Sequence, residues 1–243
     1  RRIVTYGMNP QAVVRAQNVR PHPEGQQFDV EIALRDGGVR LIKSVLLPMH
    51  GQHNVSNALA AIAIAHELKM SDETILTALK QFEGVKRRFT KTGEGLGMTI
   101  VDDYGHHPVE IAATLKAARA AQSLKSGRVI AVVQPHRYTR VRDLFKEFCT
   151  CFNDADTVIV ADIYSAGEEP IEGINADRMA EGLRGAGHRH VVRLESEDKL
   201  AATLASFGEN GDMVVCLGAG SITKWAYALP EQLKKLASSK AAS

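Results

Sequence analysis

The sequence predicts an α/β protein in two parts: a β-rich piece followed by two helices, and then a domain with a mostly parallel sheet. Three observations predict it. Short β-branched runs separated by turn residues occupy residues 1–50. From Met98 onward, apolar runs of strand length alternate with stretches of helix length. Between the two, the composition changes at Val85 to Arg88, where Lys86-Arg87-Arg88 leads into the glycine-rich Gly93 to Gly97. That change sets the expected domains at 1–86 and 87–243.

In the first part, strands are expected at Arg2 to Tyr6, Ala12 to Val19, Phe28 to Leu34 and Val39 to Leu46. Pro21, Pro23 and Gly25 punctuate them, and Asp36-Gly37 signals a hairpin. Asn54 to Leu68 is alanine-rich and apolar on nearly every face, which predicts a deeply buried helix. A second helix runs to Lys80 with Ser71 as its N-cap, and Thr74 stands where a capping box prefers Glu.

In the second part, strands are expected at Met98 to Asp102, Arg128 to Val133, Thr157 to Ala161, Val191 to Leu194 and Asp212 to Leu217. Helices are expected at Val109 to Gln122, Val141 to Phe152, Ala176 to Arg184, Glu197 to Phe207 and Ile222 to Ala228. Val141, Leu144, Phe145, Phe148, Cys149 and Phe152 form one apolar stripe at helical spacing, which reads as core.

Composition excludes several classes. A net charge of +2 with scattered basic residues argues against a nucleic-acid partner. No apolar run approaches the roughly 18 residues of a membrane span, so no membrane partner is expected. Cys149, Cys151 and Cys216 form no C-x-x-C pair and read as free thiols of a reducing compartment, which predicts a cytoplasmic protein. The chain begins at Arg1, inside an expected strand, which predicts a piece of a longer protein. Oligomeric state is not legible.

Ligands of open α/β sheets bind outside the carboxyl ends of the strands. Three polar clusters fall there: Asp102 to His107, Gln134 to Arg140 and Asp162 to Glu169. The first two are expected on neighbouring strands, as two walls of one pocket. In Asp102-Asp103-Tyr104-Gly105-His106-His107-Pro108, Pro108 suits a first helical position, so carboxylates, a phenol and imidazoles gather at an anion-friendly helix end. The plainer alternative is a capped helix with solvated loop residues. Arg137 and Arg140 are three apart and would share a face of a starting helix, where two guanidiniums can grip a carboxylate or phosphate. Asn54 and Asn57 lie one turn apart at the start of the alanine-rich helix, and an amide matches an adenine edge. The alternative there is capping by Asn54. Lys86-Arg87-Arg88 reads either as a solvated charge run or as the source of an arginine reaching a phosphate.

Two glycine patterns are not dinucleotide fingerprints. Gly93-x-Gly95-x-Gly97 precedes its strand, and Gly218-Ala219-Gly220-Ser221 has Lys224 where the third glycine belongs, so it reads as a tight strand-to-helix turn. No G-x-x-x-x-G-K-[ST] and no zinc-type Cys/His spacing occurs, so no metal ligands are expected in this chain.

Taken together, GQHNVSNALAA, FEGVKRRF, VDDYGHHPVEI, QPHRYTR with DLFKEF, and DIYSAGEEPIEG resemble the Mur ligases of bacterial cell-wall synthesis. The resemblance runs from about Tyr6 to Trp225. It implies the end of a central P-loop-type ATPase domain followed by a Rossmann-like C-terminal domain. It further implies ATP-dependent joining of an amino acid to a muramyl carboxylate through an acyl phosphate, with Mg2+ bound by residues outside this chain. The implied substrates are ATP, UDP-N-acetylmuramate and, from QPHRYTR and YSAGE, L-alanine. A preformed tripeptide in place of alanine is the alternative, and a non-catalytic binding module is a third reading. Residue by residue, the resemblance implies that Asn54 and Asn57 hold adenine, with His53 supporting their turn. Asp103 would bind the ribose and Arg88 would reach the ATP phosphates. Arg137 and Arg140 would anchor the alanine carboxylate, Tyr104, His106 and His136 would line the amino-acid and acyl-phosphate end, and Ser165 to Glu168 would close over the alanine. Either histidine is a candidate proton acceptor.

Overall fold

Val14 and Ala16 on one strand, and Phe28, Val30 and Ile32 on the next, are buried at every second position, the pattern of a sheet with one covered face. In the computed structural model, which describes residues 3–82, 84–123 and 126–241, these residues belong to a four-stranded sheet. Its strands, β1 (Tyr6–Gly7), β2 (Val14–His22), β3 (Gly25–Ala33) and β4 (Val39–Leu47), lie side by side in chain order. β1 runs parallel to β2, and the other pairs are antiparallel. Gly37, at φ 84°, takes the left-handed conformation that closes the β3–β4 hairpin. Of the expected strand from Arg2 to Tyr6, only Tyr6 joins the sheet, and Arg2 lies outside the described residues.

Helices α1 (Gln52–Glu67) and α2 (Asp72–Lys80) cover this sheet. Arg40 on β4 ties them down, donating to Asp72 at 2.8 Å and to the Met70 carbonyl at 3.0 Å. Ser71 caps α2 by accepting from the Thr74 amide, and the two hydroxyls pair at 2.8 Å, so Thr74 completes the turn without a glutamate. Deep burial of α1 is not found. Val55, Leu59 and Ile62 are buried, whereas Ile64 is 62% and Leu68 70% exposed. A helix lying on one sheet buries one stripe, whatever the composition of its other face.

The chain divides into two compact units, Arg1–Gly84 and Val85–Ser243. The second is built on β5 (Thr90–Gly95), β6 (Met98–Asp103), α3 (Pro108–Gln122), β7 (Val129–Val133), α4 (Tyr138–Asp143), α5 (Phe145–Thr150), β8 (Thr157–Val160), α6 (Ala176–Gly185), β9 (Val191–Arg193), α7 (Leu200–Phe207), β10 (Met213–Leu217) and α8 (Ile222–Ala241). The sheet order is β5-β6-β10-β7-β8-β9, parallel throughout except for the β5–β6 hairpin. Alternate residues of each strand feed two cores. Val101, Val129, Ala131 and Val133 meet Ile111, Leu115, Phe148 and Met179 on one face. Ile100, Ile130 and Val132 meet Leu204, Ile222, Ala226 and Leu229 on the other. Central strands covered on both faces must be apolar at every position, and β7 and β10 are.

The structure corrects several expectations here. β10 lies between β6 and β7, so the first two polar clusters are not on neighbouring strands. The helix expected at Val141 to Phe152 starts earlier, at Tyr138, and kinks at Leu144. Hydrogen bonds from the Leu144 amide to Arg140 and from the Phe148 amide to Leu144 carry the rod across the kink, and Val141, Phe148 and Phe152 stay buried. The last helix continues through Pro230 to Ala241. Proline provides no N–H for the carbonyl four residues earlier, that of Ala226, and the Thr92 hydroxyl donates to it at 2.7 Å. Thr92 belongs to β5, the strand that the glycine-rich reading missed. A Cβ at Gly93 would lie 2.9 Å from the Pro230 ring, and one at Gly95 would lie 2.6 Å from the Leu233 Cβ. The glycines let α8 lie against β5.

Candidate functional site

The carboxyl ends of β6, β7 and β10 frame a cleft of about 670 Å³ in the second unit, lined by Tyr104, His106, His107, His136, Arg137, Arg140 and Ala219 among others. Small residues let the two polar walls meet across the strand between them. After β10 the chain passes through Gly218-Ala219-Gly220, and Gln134 fastens that turn. Its side-chain oxygen accepts from the Ile222 amide at 3.1 Å, and its amide donates to the Ser221 hydroxyl at 3.0 Å. The strand-to-helix reading of this turn therefore holds.

The first wall is shaped by buried carboxylates. Asp103 accepts from the amides of Phe89 and Gly105, each at 2.8 Å, and from the Thr114 hydroxyl at 3.0 Å. It is buried and faces inward, where it holds the Tyr104–Gly105 turn. Asp102 accepts from Thr223 at 2.6 Å and lies 3.9 Å from the Arg87 Nε. Its burial raises its pKa despite these two partners.

At the start of α3, Pro108 occupies the first turn, as its position in the sequence predicts. The helix end does not present free N–H groups to an outside anion, however. Glu110 turns back and accepts from the amides of His106 and His107, each at 3.2 Å. Burial pushes the Glu110 carboxyl up, but these two amides, with the charge of Arg88, hold it below its usual range. The expected anion site at this helix end is filled by the protein's own carboxylate.

The second wall follows β7. His136 pairs with Tyr164 in a parallel bridge that extends the β7–β8 register beyond the strands. The Tyr164 amide donates to the Pro135 carbonyl at 2.8 Å and the Arg137 amide to the Tyr164 carbonyl at 2.9 Å. The rings of His136 and Tyr164 stack with centroids 5.5 Å apart. Arg137 precedes α4 with a φ of 71°, a conformation costly for a residue with a side chain, so it and Arg140 do not share a helix face as expected. Arg137 lies 3.6 Å from Glu168, which also binds the Thr139 amide at 3.0 Å and the Thr139 hydroxyl at 2.6 Å. Arg140 donates from one Nη1 to both the ring Nδ1 and the carbonyl of His136, each at 3.1 Å. The third cluster thus joins the site through Tyr164 and Glu168.

The remaining expected site residues lie elsewhere. Arg88 is exposed and does not line the cleft, whereas its neighbour Arg87 lies 4.6 Å from the Tyr104 ring centre and donates to the Gly218 carbonyl at 2.6 Å. Nothing in Lys86-Arg87-Arg88 separates the two arginines in the sequence. His53, Asn54 and Asn57 belong to the first unit. Gly51 precedes α1 without a side-chain cap, so Asn54 is not the capping residue. Asn54 is buried and donates to the His50 carbonyl at 2.8 Å, Asn57 is exposed and His53 half-buried. All three cysteines are free thiols. Burial pushes Cys151 up to about 12 and raises Cys216 as well, which leaves both protonated at neutral pH. Among the described residues, no group of three or more His, Cys, Asp or Glu side chains is disposed to hold a metal ion, and no helix is long and apolar enough to cross a membrane.

The stack on His136 depends on a glycine. A Cβ at Gly220 would lie 2.6 Å from the Tyr164 ring and 2.5 Å from the Gln134 side-chain oxygen. Gly220→Ala is expected to push Tyr164 off His136 and to destabilise this unit by about 1–3 kcal/mol, the usual cost of overpacking. Urea unfolding followed by the fluorescence of Trp225, the sole tryptophan, reads that loss.

Comparison with known proteins adds the following. Residues 87–220 match the family model described as Mur ligase, glutamate ligase domain, and residues 1–65 match the Mur ligase middle domain. A protein from Phenylobacterium zucineum named UDP-N-acetylmuramate–L-alanine ligase is 61% identical over 98% of this chain and 50% of its own length. One of the same name from Bradyrhizobium diazoefficiens is 59% identical over 97% of this chain and 50% of its own length. The chain therefore spans about half the length of the curated relatives it matches. The crystal structure of a UDP-N-acetylmuramate-alanine ligase from Thermotoga maritima superimposes with a TM-score of 0.76 at 23% identity, covering 96% of this chain and 48% of that one, and it supports the fold alone.

Proposed function

The chain belongs to the Mur ligase family, and we propose that it forms the amino-acid-binding half of a cytoplasmic ligase joining L-alanine to UDP-N-acetylmuramate at the expense of ATP. The observation that carries this reading is identity of about 60% to alanine ligases over nearly the whole chain. The cleft supplies the chemistry. ATP converts the muramyl carboxylate to an acyl phosphate, and the amine of alanine then attacks it. The alanine carboxylate docks against Arg137 and the free edge of Arg140, two guanidiniums that line the cleft and can fork onto it. His106 and His136 face the reacting carbonyl, and Tyr104 with Arg87 closes that end. Asp103 positions the wall rather than touching substrate. Asn57 and His53 contribute to adenine binding, and Arg88 reaches toward the ATP phosphates. The family implies a magnesium ion, and among the described residues no group of three or more His, Cys, Asp or Glu side chains converges on one.

The test uses the full-length ligase carrying these residues, supplied with ATP, UDP-N-acetylmuramate and either L-alanine or a preformed tripeptide. Formation of UDP-N-acetylmuramoyl-alanine in at least tenfold preference to the tripeptide adduct is the expected result. Preference for the tripeptide would replace alanine in this reading, and no ligation of either would overturn it.

A further inference from the structure

We propose that His106 and His136 hold opposite tautomers and divide the proton work: His106 takes a proton from the incoming ammonium at Nε2, and His136 donates from its Nε2–H to the oxygen that becomes negative. This rests on the ligase reading above. The assignment follows from what each ring's other nitrogen touches. His106 Nδ1 lies 2.9 Å from the Tyr104 carbonyl, and a carbonyl only accepts. The Nδ1 of His106 therefore carries the hydrogen. Glu110 Oε2, 3.5 Å away, is a second acceptor at the same nitrogen. The lone pair of neutral His106 is left on Nε2. His136 Nδ1 lies 3.1 Å from the Arg140 Nη1, and a guanidinium only donates. Its lone pair is therefore on Nδ1 and its hydrogen on Nε2.

The surroundings keep these roles apart. His136 is pushed below the usual histidine range by burial, then by the positive charges of Arg140 and Arg137, against the opposing pull of Glu168. It stays neutral and cannot act as a base through a nitrogen that Arg140 occupies. The groups facing it are Arg140, Arg137, Glu168, His106 and the Tyr164 ring. Those facing His106 are Glu110, His136 and the Tyr104 ring. The two imidazoles stand 5.6 Å apart between centroids, close enough for one reacting carbon to be served by both.

The step balances as follows. The alanine ammonium gives one proton to His106 Nε2, which releases it to solvent. The freed amine lone pair forms the C–N bond at the acyl-phosphate carbon, and the carbonyl electrons move to an oxyanion that accepts the His136 Nε2–H hydrogen bond. The oxyanion reforms the carbonyl, the C–O bond to phosphate breaks, and the departing phosphate takes the second nitrogen proton to leave as hydrogen phosphate.

Two measurements test this. In the 243-residue chain labelled with 15N at histidine, long-range 1H–15N spectra at neutral pH should show His106 as the Nδ1–H tautomer and His136 as the Nε2–H tautomer. His106→Gln and His136→Gln assign the signals. The same tautomer on both rings would overturn the proposal and leave the ligase reading standing. In the full-length ligase, His136→Gln keeps an amide donor in place of Nε2–H and should lose about tenfold in kcat while keeping the acid limb of the pH profile. His106→Gln should lose about 100-fold or more and lose that limb. A retained acid limb in His106→Gln would sink the assignment, whereas absence of product from the unaltered ligase would instead sink the ligase reading and this proposal with it.

Discussion

Arg140→Ala in the full-length ligase is expected to raise the KM for alanine about 100-fold, while the KM for ATP changes less than about threefold. The asymmetry follows from where the guanidinium lies. One Nη1 is spent on the ring nitrogen and carbonyl of His136, which fixes the side chain in the cleft and aims its other edge outward. A forked pair of charge-assisted hydrogen bonds to a carboxylate is worth about 3 kcal/mol, which corresponds to roughly two decades in affinity. The same substitution frees His136 Nδ1 to carry the hydrogen, so kcat should fall by a further tenfold or so. Arg140→Lys keeps the charge but loses the fork, and should recover only part of the alanine affinity. Steady-state kinetics with each substrate varied in turn decides it, and an equal rise in both KM values would refute the anchor role.

The second large effect concerns stability and lies at the opposite end of the sheet. Asp212, 1% exposed, accepts from the Arg128 amide at 2.8 Å, the Arg128 Nη2 at 2.7 Å and the Glu209 amide at 2.9 Å, and so joins the start of β10 to the start of β7. Burial pushes its carboxyl up, but the Arg128 hydrogen bonds and the two backbone amides outweigh that and hold it below the usual range. Asp212→Ala leaves these donors unpaired and should cost about 3 kcal/mol, a figure reduced for the partial exposure of Arg128. The pH dependence has a definite sign. A carboxyl whose folded pKa is depressed contributes stability above its unfolded pKa and loses it as pH falls toward the folded one. Unfolding midpoints of the unaltered chain and of Asp212→Asn should therefore differ near neutral pH and converge in acid. A gap that persists or widens in acid would show that the ion pair is not its source.

Much of the second unit was legible because buried parallel strands leave a plain mark. Val129 to Val133 and Met213 to Leu217 are apolar throughout, at strand length. β5 was not legible, since Thr90 to Gly95 contains no large apolar residue and its glycines answer to a helix more than a hundred residues away in sequence. The extension of α8 past Pro230 was hidden for the same reason, because the donor that makes it tolerable, Thr92, lies on that strand. In the cleft, residue types were legible and directions were not. Tyr104, His106, His136, Arg137 and Arg140 stand out as a polar set at strand ends, and the structure brings them together. That Asp103 faces inward and that Glu110 fills the helix end are decided by backbone amides, and the two histidines bond through different kinds of partner, a backbone carbonyl for His106 and the Arg140 guanidinium for His136. A one-dimensional reading cannot place those atoms.

The insertion of β10 between β6 and β7 has a consequence for biosynthesis. The middle of the sheet is the last strand to be made. Until residues 213–217 leave the ribosome, β6 and β7 have no neighbour on their facing edges, and the two walls of the cleft have nothing to hold them at their proper spacing. A nascent chain in that interval carries two bare apolar strand edges, a form prone to sticking to other chains. Completion of this sheet must therefore wait for residues 213–217, and a chain halted before them has neither a closed sheet nor the paired walls of the site.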